Sequence, residues 1–290
     1  MKSRVLLESH LKTLKLPAMH RAYGKVARQC GEGNRDYESY LEELAGLEVA
    51  QRESRAMDRR IRQAGFPMVK ELADFEFAAV PHLNRKRVLD LSKGEYIDRR
   101  ENIVLVGPPG VGKTHLAIAL GREACRQGRR VKFFTAAGLV NAYVEARQEK
   151  EVERLEAHIE RRGLIVIDEL GYLPLSQAGA EYLFGFFSRC YERVSVIVTT
   201  NLPFSEWPQV MHGDERLAGA LLDRLTHRVS VLEVRGDSYR LRLSAVPAQA
   251  GPALPADGSG LHPVQGARNP QLPDEVVEGG DTEPSSNAGG

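Results

Sequence analysis

The sequence predicts an α/β fold, a parallel five-stranded sheet with helices on both faces, and three observations carry the prediction. Five apolar runs, at 102–106, 131–135, 164–167, 194–199 and 229–234, alternate with stretches of helical spacing. Continuous apolar strands separated by helices mark a parallel sheet buried on both sides. Between the first run and the next helix stands Gly107-Pro108-Pro109-Gly110-Val111-Gly112-Lys113-Thr114, a G-x-x-x-x-G-K-T loop in strand-to-helix context. The third run ends in Asp168-Glu169, two carboxylates at the C-terminal edge where open α/β sheets bind ligands.

Residues 1–76 read as a small helical domain for DNA or a partner. Ser3 is placed to cap a first helix whose Leu7, Leu11 and Leu14 recur at helical spacing. Pro17 ends it and starts a second, running to about Cys30, before Gly31-Glu32-Gly33-Asn34 breaks the chain. A longer helix spans 36–64, with Gly65 as its C-terminal stop. Its apolar series is Leu41, Leu44, Leu47, Ala50, Met57, Ile61 and Ala64. Nearly opposite that series stand Arg52, Arg55, Arg59 and Arg62, spaced three, four and three and so sharing a face. Alone, such a face reads as solvated, diluted by Glu48 and Glu53. Beside a nucleotide-binding loop it reads as four guanidinium groups that track a phosphate backbone. Gly65-Phe66-Pro67 closes the segment, and Leu72, Phe75 and Phe77, then Val80-Pro81, mark an extended connector, whose rings pack on the next domain or wall a base.

Residues 77–245 make the nucleotide domain. Helices are expected at 85–91, 113–127, 136–161, 177–191 and 214–227, with Gly128 and Gly163 as breaks. The tail, 246–290, is a third Gly and Pro and too poor in apolar residues to order itself, so disorder is expected there. Forty Lys and Arg against 39 Asp and Glu leave a formal charge of +1, so any nucleic-acid surface must be local. Cys30, Cys125 and Cys190 lie far apart with no C-x-x-C pair, which argues against disulfides and zinc and for small buried side chains. No apolar run reaches the roughly 18 residues of a membrane span, and the N-terminus lacks a signal-peptide core. A cytoplasmic protein without a membrane partner is expected.

The residue types in the loop suit a triphosphate. Gly107, Gly110 and Gly112 let the backbone curl, with Pro108, Pro109 and Val111, into an N–H-lined nest. The helix opening at Lys113, Thr114 and His115 adds its positive end. Lys113 supplies a mobile charge for the β and γ phosphates, and Thr114 offers a hydroxyl to Mg²⁺. Asp168 would hold the same ion, while Glu169 orients and polarises a water. Asn201, after the fourth run, either donates to the γ-phosphate or water, or merely starts a turn. Arg216, Arg224 and Arg228, on the predicted helix at 214–227 or just past it, either pair with nearby acids or reach a neighbouring subunit's nucleotide.

Four blocks then become familiar: GPPGVGKT at 107–114, LIVIDELGYLP at 164–174, VTTN at 198–201 and RLAGALLDRLTHR at 216–228. With DYESYLEELAGLE at 36–48 and GDSYRLRL at 236–243, they resemble the IstB-like AAA+ ATPases. These are transposition helpers encoded beside a transposase, similar to DnaC-type helicase loaders. The resemblance covers 1–245. It implies an AAA+ P-loop NTPase core whose Asn201 strand lies between those of Gly107 and Asp168. It also implies ATP and Mg²⁺ as cofactors, homo-oligomers on duplex DNA, DNA deformation, and a partner transposase to recruit and stimulate. Carried over residue by residue, Lys113 and Thr114 bind phosphate and Mg²⁺, Asp168 and Glu169 form the Walker-B pair, and Asn201 is the first sensor. Arg224, then Arg228, is the finger acting in trans, and Arg240 is a weak second sensor. A helicase loader is the alternative, and a small-molecule kinase a third.

Overall fold

In the computed structural model, residues 2–236 and 238 are described. Three helices open the chain: α1 (Lys2–Thr13), α2 (Pro17–Glu32) and α3 (Tyr37–Ala64). The expected ends of α3 are observed: the Asp36 carboxylate accepts from Ser39 N, and Gly65 takes the left-handed conformation at φ 74°. Ser3 is no cap, because α1 already runs through it. Of the apolar series on α1 only Leu11 is buried, while Leu7 and Leu14 stand open at 41% and 64%. The series on α3 is likewise cut back. Leu44 joins Val26 and Cys30 in a small core against α2, but Leu41 and Leu47 are exposed. A single shorter partner helix, α2, covers less of a long helix than its periodicity anticipates. The last turns of α3 do find cover: Ala64 is fully buried, and Arg60 Nε donates to Cys125 O at 2.9 Å.

After a connector come α4 (Arg85–Ser92) and α5 (Glu95–Asp98), the latter too short for a periodicity to reveal. The rest alternates as expected: β1 (Asn102–Val106), α6 (Lys113–Arg126), β2 (Val131–Thr135), α7 (Ala136–Gln148), α8 (Val152–Glu160), β3 (Leu164–Leu170), α9 (Gln177–Cys190), β4 (Ser195–Thr200), α10 (Trp207–Val210), α11 (Glu215–Thr226) and β5 (Val229–Glu233). The five strands form one parallel sheet in the order β2-β3-β4-β1-β5. The Asn201 strand therefore lies between the other two, as the AAA+ resemblance requires.

Alternation along the strands divides the core. Ile103, Leu105, Leu164 and Val166 face α6, the connector and the end of α3; Val104, Ile165 and Ile167 face α7, α9 and α11. Helices and sheet belong to one compact unit, Met1–Pro247. The three cysteines are buried, and burial pushes the Cys125 thiol up to about 11, so it behaves as a small apolar side chain. The single helix expected over 136–161 is two, because Lys150 turns left-handed at φ 60° and ends the first. The third strand does not stop before its acids but runs through them to Leu170. The tail expected to be disordered, and Arg240, lie outside the described residues.

Candidate functional site

The phosphate loop leaves β1 and returns as α6, with Gly112 capping that helix at φ 100°. Glycine is needed there twice over: the φ is left-handed, and a Cβ would stand 2.8 Å from the Phe75 ring. Lys113 Nζ donates to Gly107 O and Pro108 O, both at 2.7 Å, so the ammonium lies across the loop. The loop's N–H groups and the start of α6 supply the positive end for an anion.

Thr114 Oγ1 donates to Asp168 Oδ1 at 2.9 Å, bringing the two oxygen ligands expected for Mg²⁺ together. Asp168 is buried. A register shift between β3 and β4 sets its direction: Ile167 opposes Val198, yet Leu170 opposes Thr200. The extra residue makes a bulge, and Glu169 on it takes φ 62° with its side chain in solvent. Bulges commonly re-aim side chains beside active sites, and here the two acids diverge although they are adjacent. Asn201 follows β4 at the same sheet edge, since Thr200 pairs with Val106 immediately before the loop, and it is exposed.

Sequence reasoning missed Thr199. Its hydroxyl donates to Asp168 Oδ1 at 2.5 Å and accepts from Glu169 N at 2.9 Å, and the residue is 1% exposed. One buried side chain thus orients the first acid and holds the left-handed backbone of the second. Thr199 opens the Thr-Thr-Asn run, but only the β3–β4 register shows that it faces Asp168.

The connector walls the site. A cavity of about 610 Å³ is lined by apolar Met68, Val69, Phe75 and Val80 and by charged Lys70, Asp74 and Glu76 on one side, and by Gly110–His115 on the other. His115 Nε2 lies 2.8 Å from Glu71 O, and its ring meets Phe75 edge-on at 5.3 Å. Glu71 clamps the connector to α6, accepting from Arg122 and Arg126 at 2.5 Å each. Burial pushes the Glu71 carboxyl up, but the two guanidinium groups outweigh it and hold the group below the usual carboxylate range. A wall that mixes an aromatic ring and aliphatic side chains with polar groups, beside a phosphate loop, suits a nucleoside. Phe66, by contrast, packs edge-on to Phe133 in the core, away from that wall.

The predicted arginines divide. Arg224 is half-buried, its Nη1 donating to Ala220 O at 2.6 Å and its guanidinium 4.8 Å above the Phe184 ring. Arg216 and Arg228 are exposed. Arg228 precedes β5, where its carbonyl accepts from Asn102 N at the start of β1, so it stands at the sheet edge opposite the loop. Arg52 is tied down by Glu48 Oε1 and Lys15 O, both at 3.1 Å, whereas Arg55, Arg59 and Arg62 are exposed. Glu48 thus neutralises the first of the four, as expected, and leaves the other three. It is buried and caps α2, its Oε2 accepting from Ala18 N at 2.8 Å and Met19 N at 3.4 Å.

Loop, paired acids and sheet order define a P-loop nucleotide-binding protein of the AAA+ class. More particularly, the chain belongs to the family of IstB-like ATP binding proteins, which matches residues 9–246. It is 38% identical over 242 residues to the "Insertion sequence IS5376 putative ATP-binding protein" of Geobacillus stearothermophilus, covering 83% of this chain and 95% of that one. It is 38% identical over 236 residues to the "Insertion sequence IS21 putative ATP-binding protein" of Pseudomonas aeruginosa, covering 81% and 89%. Among solved structures, the DnaC helicase loader superposes with a TM-score of 0.45 at 21% identity, covering 52% of this chain and 87% of that one.

Proposed function

We propose that the protein is an ATP-dependent, DNA-binding transposition helper, which oligomerises on duplex DNA and recruits and stimulates a partner transposase in the cytoplasm. The observation that carries the ATPase part is the hydroxyl–carboxylate chain Thr114–Asp168–Thr199 beside a lysine-bearing phosphate loop. The insertion-sequence names of the relatives support the biological part.

In this reading the wall of Val69, Phe75 and Val80 seats the nucleoside, and the loop and Lys113 take the phosphates. Thr114 and Asp168 have the oxygen donors and the proximity that a Mg²⁺ ion needs, and would hold it. Bound there, the ion would neutralise charge on the β and γ phosphates. Glu169, turned into solvent by the bulge, accepts the proton of the attacking water, and Asn201 orients that water or the γ-phosphate. Arg228 belongs too far from its own loop to serve it, and reaches the nucleotide of the next subunit; Arg224 would have to leave Phe184 to do so. Arg55, Arg59 and Arg62 contact DNA phosphates, with residues 1–76 acting as the DNA- and partner-binding part.

Glu169→Gln tests this directly. It should bind ATP, lose about 10²–10⁴-fold in turnover, the usual worth of a general base, and stay assembled on duplex DNA in electron micrographs. Lys113→Ala should abolish nucleotide-dependent assembly. Normal hydrolysis by Glu169→Gln would remove that residue from its role. A wild-type chain that stays monomeric with ATP and duplex together would overturn the assembly.

A further inference from the structure

The end of α3 leads onto a second cluster of cations that the nucleotide site does not use. A Cβ on Gly65, the cap of α3, would stand 3.2 Å from Lys132 Nζ, so the last turn of the helix, with Arg62, borders β2 at the edge of the sheet. Lys132 lies over the Phe134 ring at 5.5 Å. Around it, Arg130 and Arg161 are exposed and Arg162 is half-buried, with Arg162 Nη2 donating to the His158 ring.

Among the described residues, Arg62, Arg130, Lys132, Arg161 and Arg162 make no ion pair. Three nearby acids are engaged elsewhere, Glu151 with Arg154, Glu156 with Arg189, and Glu160 with Arg189 and Arg193, while Glu153 of α8 is exposed and pairs with none of the five cations. Burial and then Arg162 hold Lys132 below its ordinary value; burial and then Arg130 do the same to Arg162. His158 is also lowered, by burial and then by Arg162, Lys132 and Arg161. The Nε of Arg162 is buried without a hydrogen-bond partner. His158 and Arg161 also border a groove of about 420 Å³ toward α7, where Glu145 and Glu149 stand, so Arg130, Lys132 and Arg162 define the cluster. Like charges crowded on an edge strand cost stability unless an anion relieves them.

We propose that Arg130, Lys132 and Arg162, continued through Arg62 by the arginine face of α3, form a second contact for the phosphate backbone of nucleic acid. The site rests on the DNA-binding reading above and extends it from the N-terminal helices onto the edge of the ATPase sheet. Ten residues of helix separate Arg55 from Gly65, about 15 Å at 1.5 Å per residue. Helix and strand edge together therefore offer a track several phosphates long. A continuous backbone fits it better than a single bound ion, because the cluster is continued past Gly65 by the exposed arginines of α3. Lys132 at the strand edge also discourages edge-to-edge strand pairing.

The test is salt-titrated binding of a random duplex of about 30 base pairs by fluorescence anisotropy, with ATP analogue present. Each phosphate contact contributes about 0.9 to the slope of log affinity against log salt. The variant Arg130→Gln/Lys132→Gln/Arg162→Gln should lose between about two and three from that slope and bind at least about tenfold more weakly. Its Tm should equal or exceed the wild type's, because like-charge repulsion is removed. The charge-keeping variant Arg130→Lys/Lys132→Arg/Arg162→Lys should retain the slope. If the neutral triple variant fails to fold, exposed Arg130→Gln alone decides, with an expected loss of about one. A wild-type chain that ignores duplex overturns the DNA-binding reading and this site with it. Wild-type binding that falls with Arg55→Gln/Arg59→Gln/Arg62→Gln but not with the strand-edge variant overturns this site alone. Competition by polyglutamate as effective as by duplex of equal charge overturns the assignment to nucleic acid.

Discussion

Thr199 does with one hydroxyl what a catalytic site usually divides among several groups. It fixes Asp168 as a donor and supports the left-handed Glu169 as an acceptor from its N–H. A non-glycine residue in that region costs about 1–3 kcal/mol, so something must hold it there. Thr199→Val keeps the shape and removes the hydroxyl. It should lower kcat about tenfold, equivalent to about 1.4 kcal/mol, with KM for ATP little changed. Thr199→Ser should restore kcat, and a loss of ATP affinity with kcat unchanged would refute the positioning role. Lys113, Thr114 and Asp168 were legible because their spacing and flanks are chemically required. Thr199 was not, since a threonine in an apolar strand has no signature until its neighbour across the sheet is known.

The connector is the element that completes the site, and Glu71 holds it. Its carboxyl is held below the ordinary value by Arg126 and Arg122 against the opposing effect of burial. A depressed carboxyl stabilises the fold above its unfolded value and ceases to as pH falls through the folded one. Glu71→Gln should therefore lower Tm at pH 7 by about 2–4 °C, the shift that 1 kcal/mol gives a chain of this size. The difference from wild type should begin to narrow as pH falls below the ordinary carboxylate value of about 4.3, and close as it passes the lower folded value. Calorimetry across pH checks this, and a Tm difference that does not shrink as pH falls below about 4 would refute it. The strands and long helices were legible from periodicity and their caps. The split of 136–161 into α7 and α8 was not, because a left-handed lysine leaves no pattern in composition. The bulge in β3 was hidden for a related reason, since register belongs to two strands and not to one.

The whole molecule places its arginines where a single copy cannot use them at the nucleotide. Arg228 stands at the sheet edge opposite the loop, and the exposed face of α3 ends on the uncompensated edge of β2. Hydrolysis per chain should therefore rise with protein concentration, and Arg228→Ala should lose about 10³–10⁵-fold, the range for a finger supplied by a neighbour. Mixing Arg228→Ala with Lys113→Ala should recover activity that neither has alone, because each Lys113→Ala chain can lend its arginine to an intact loop. Steady-state ATPase assays of the mixture decide this, and the same mixture with Arg224→Ala separates the two candidates. From the sequence alone came the parallel sheet, the phosphate loop, the pair of acids and the family resemblance, because each rests on local spacing along the chain. Only the tertiary structure decided that Glu48 caps α2, that Thr199 joins the two acids, that Glu71 clamps the wall of the cavity and that the cations of β2 continue those of α3. These depend on which surfaces meet, and residues distant in sequence carry no mark of their partners until the sheet and helices have packed.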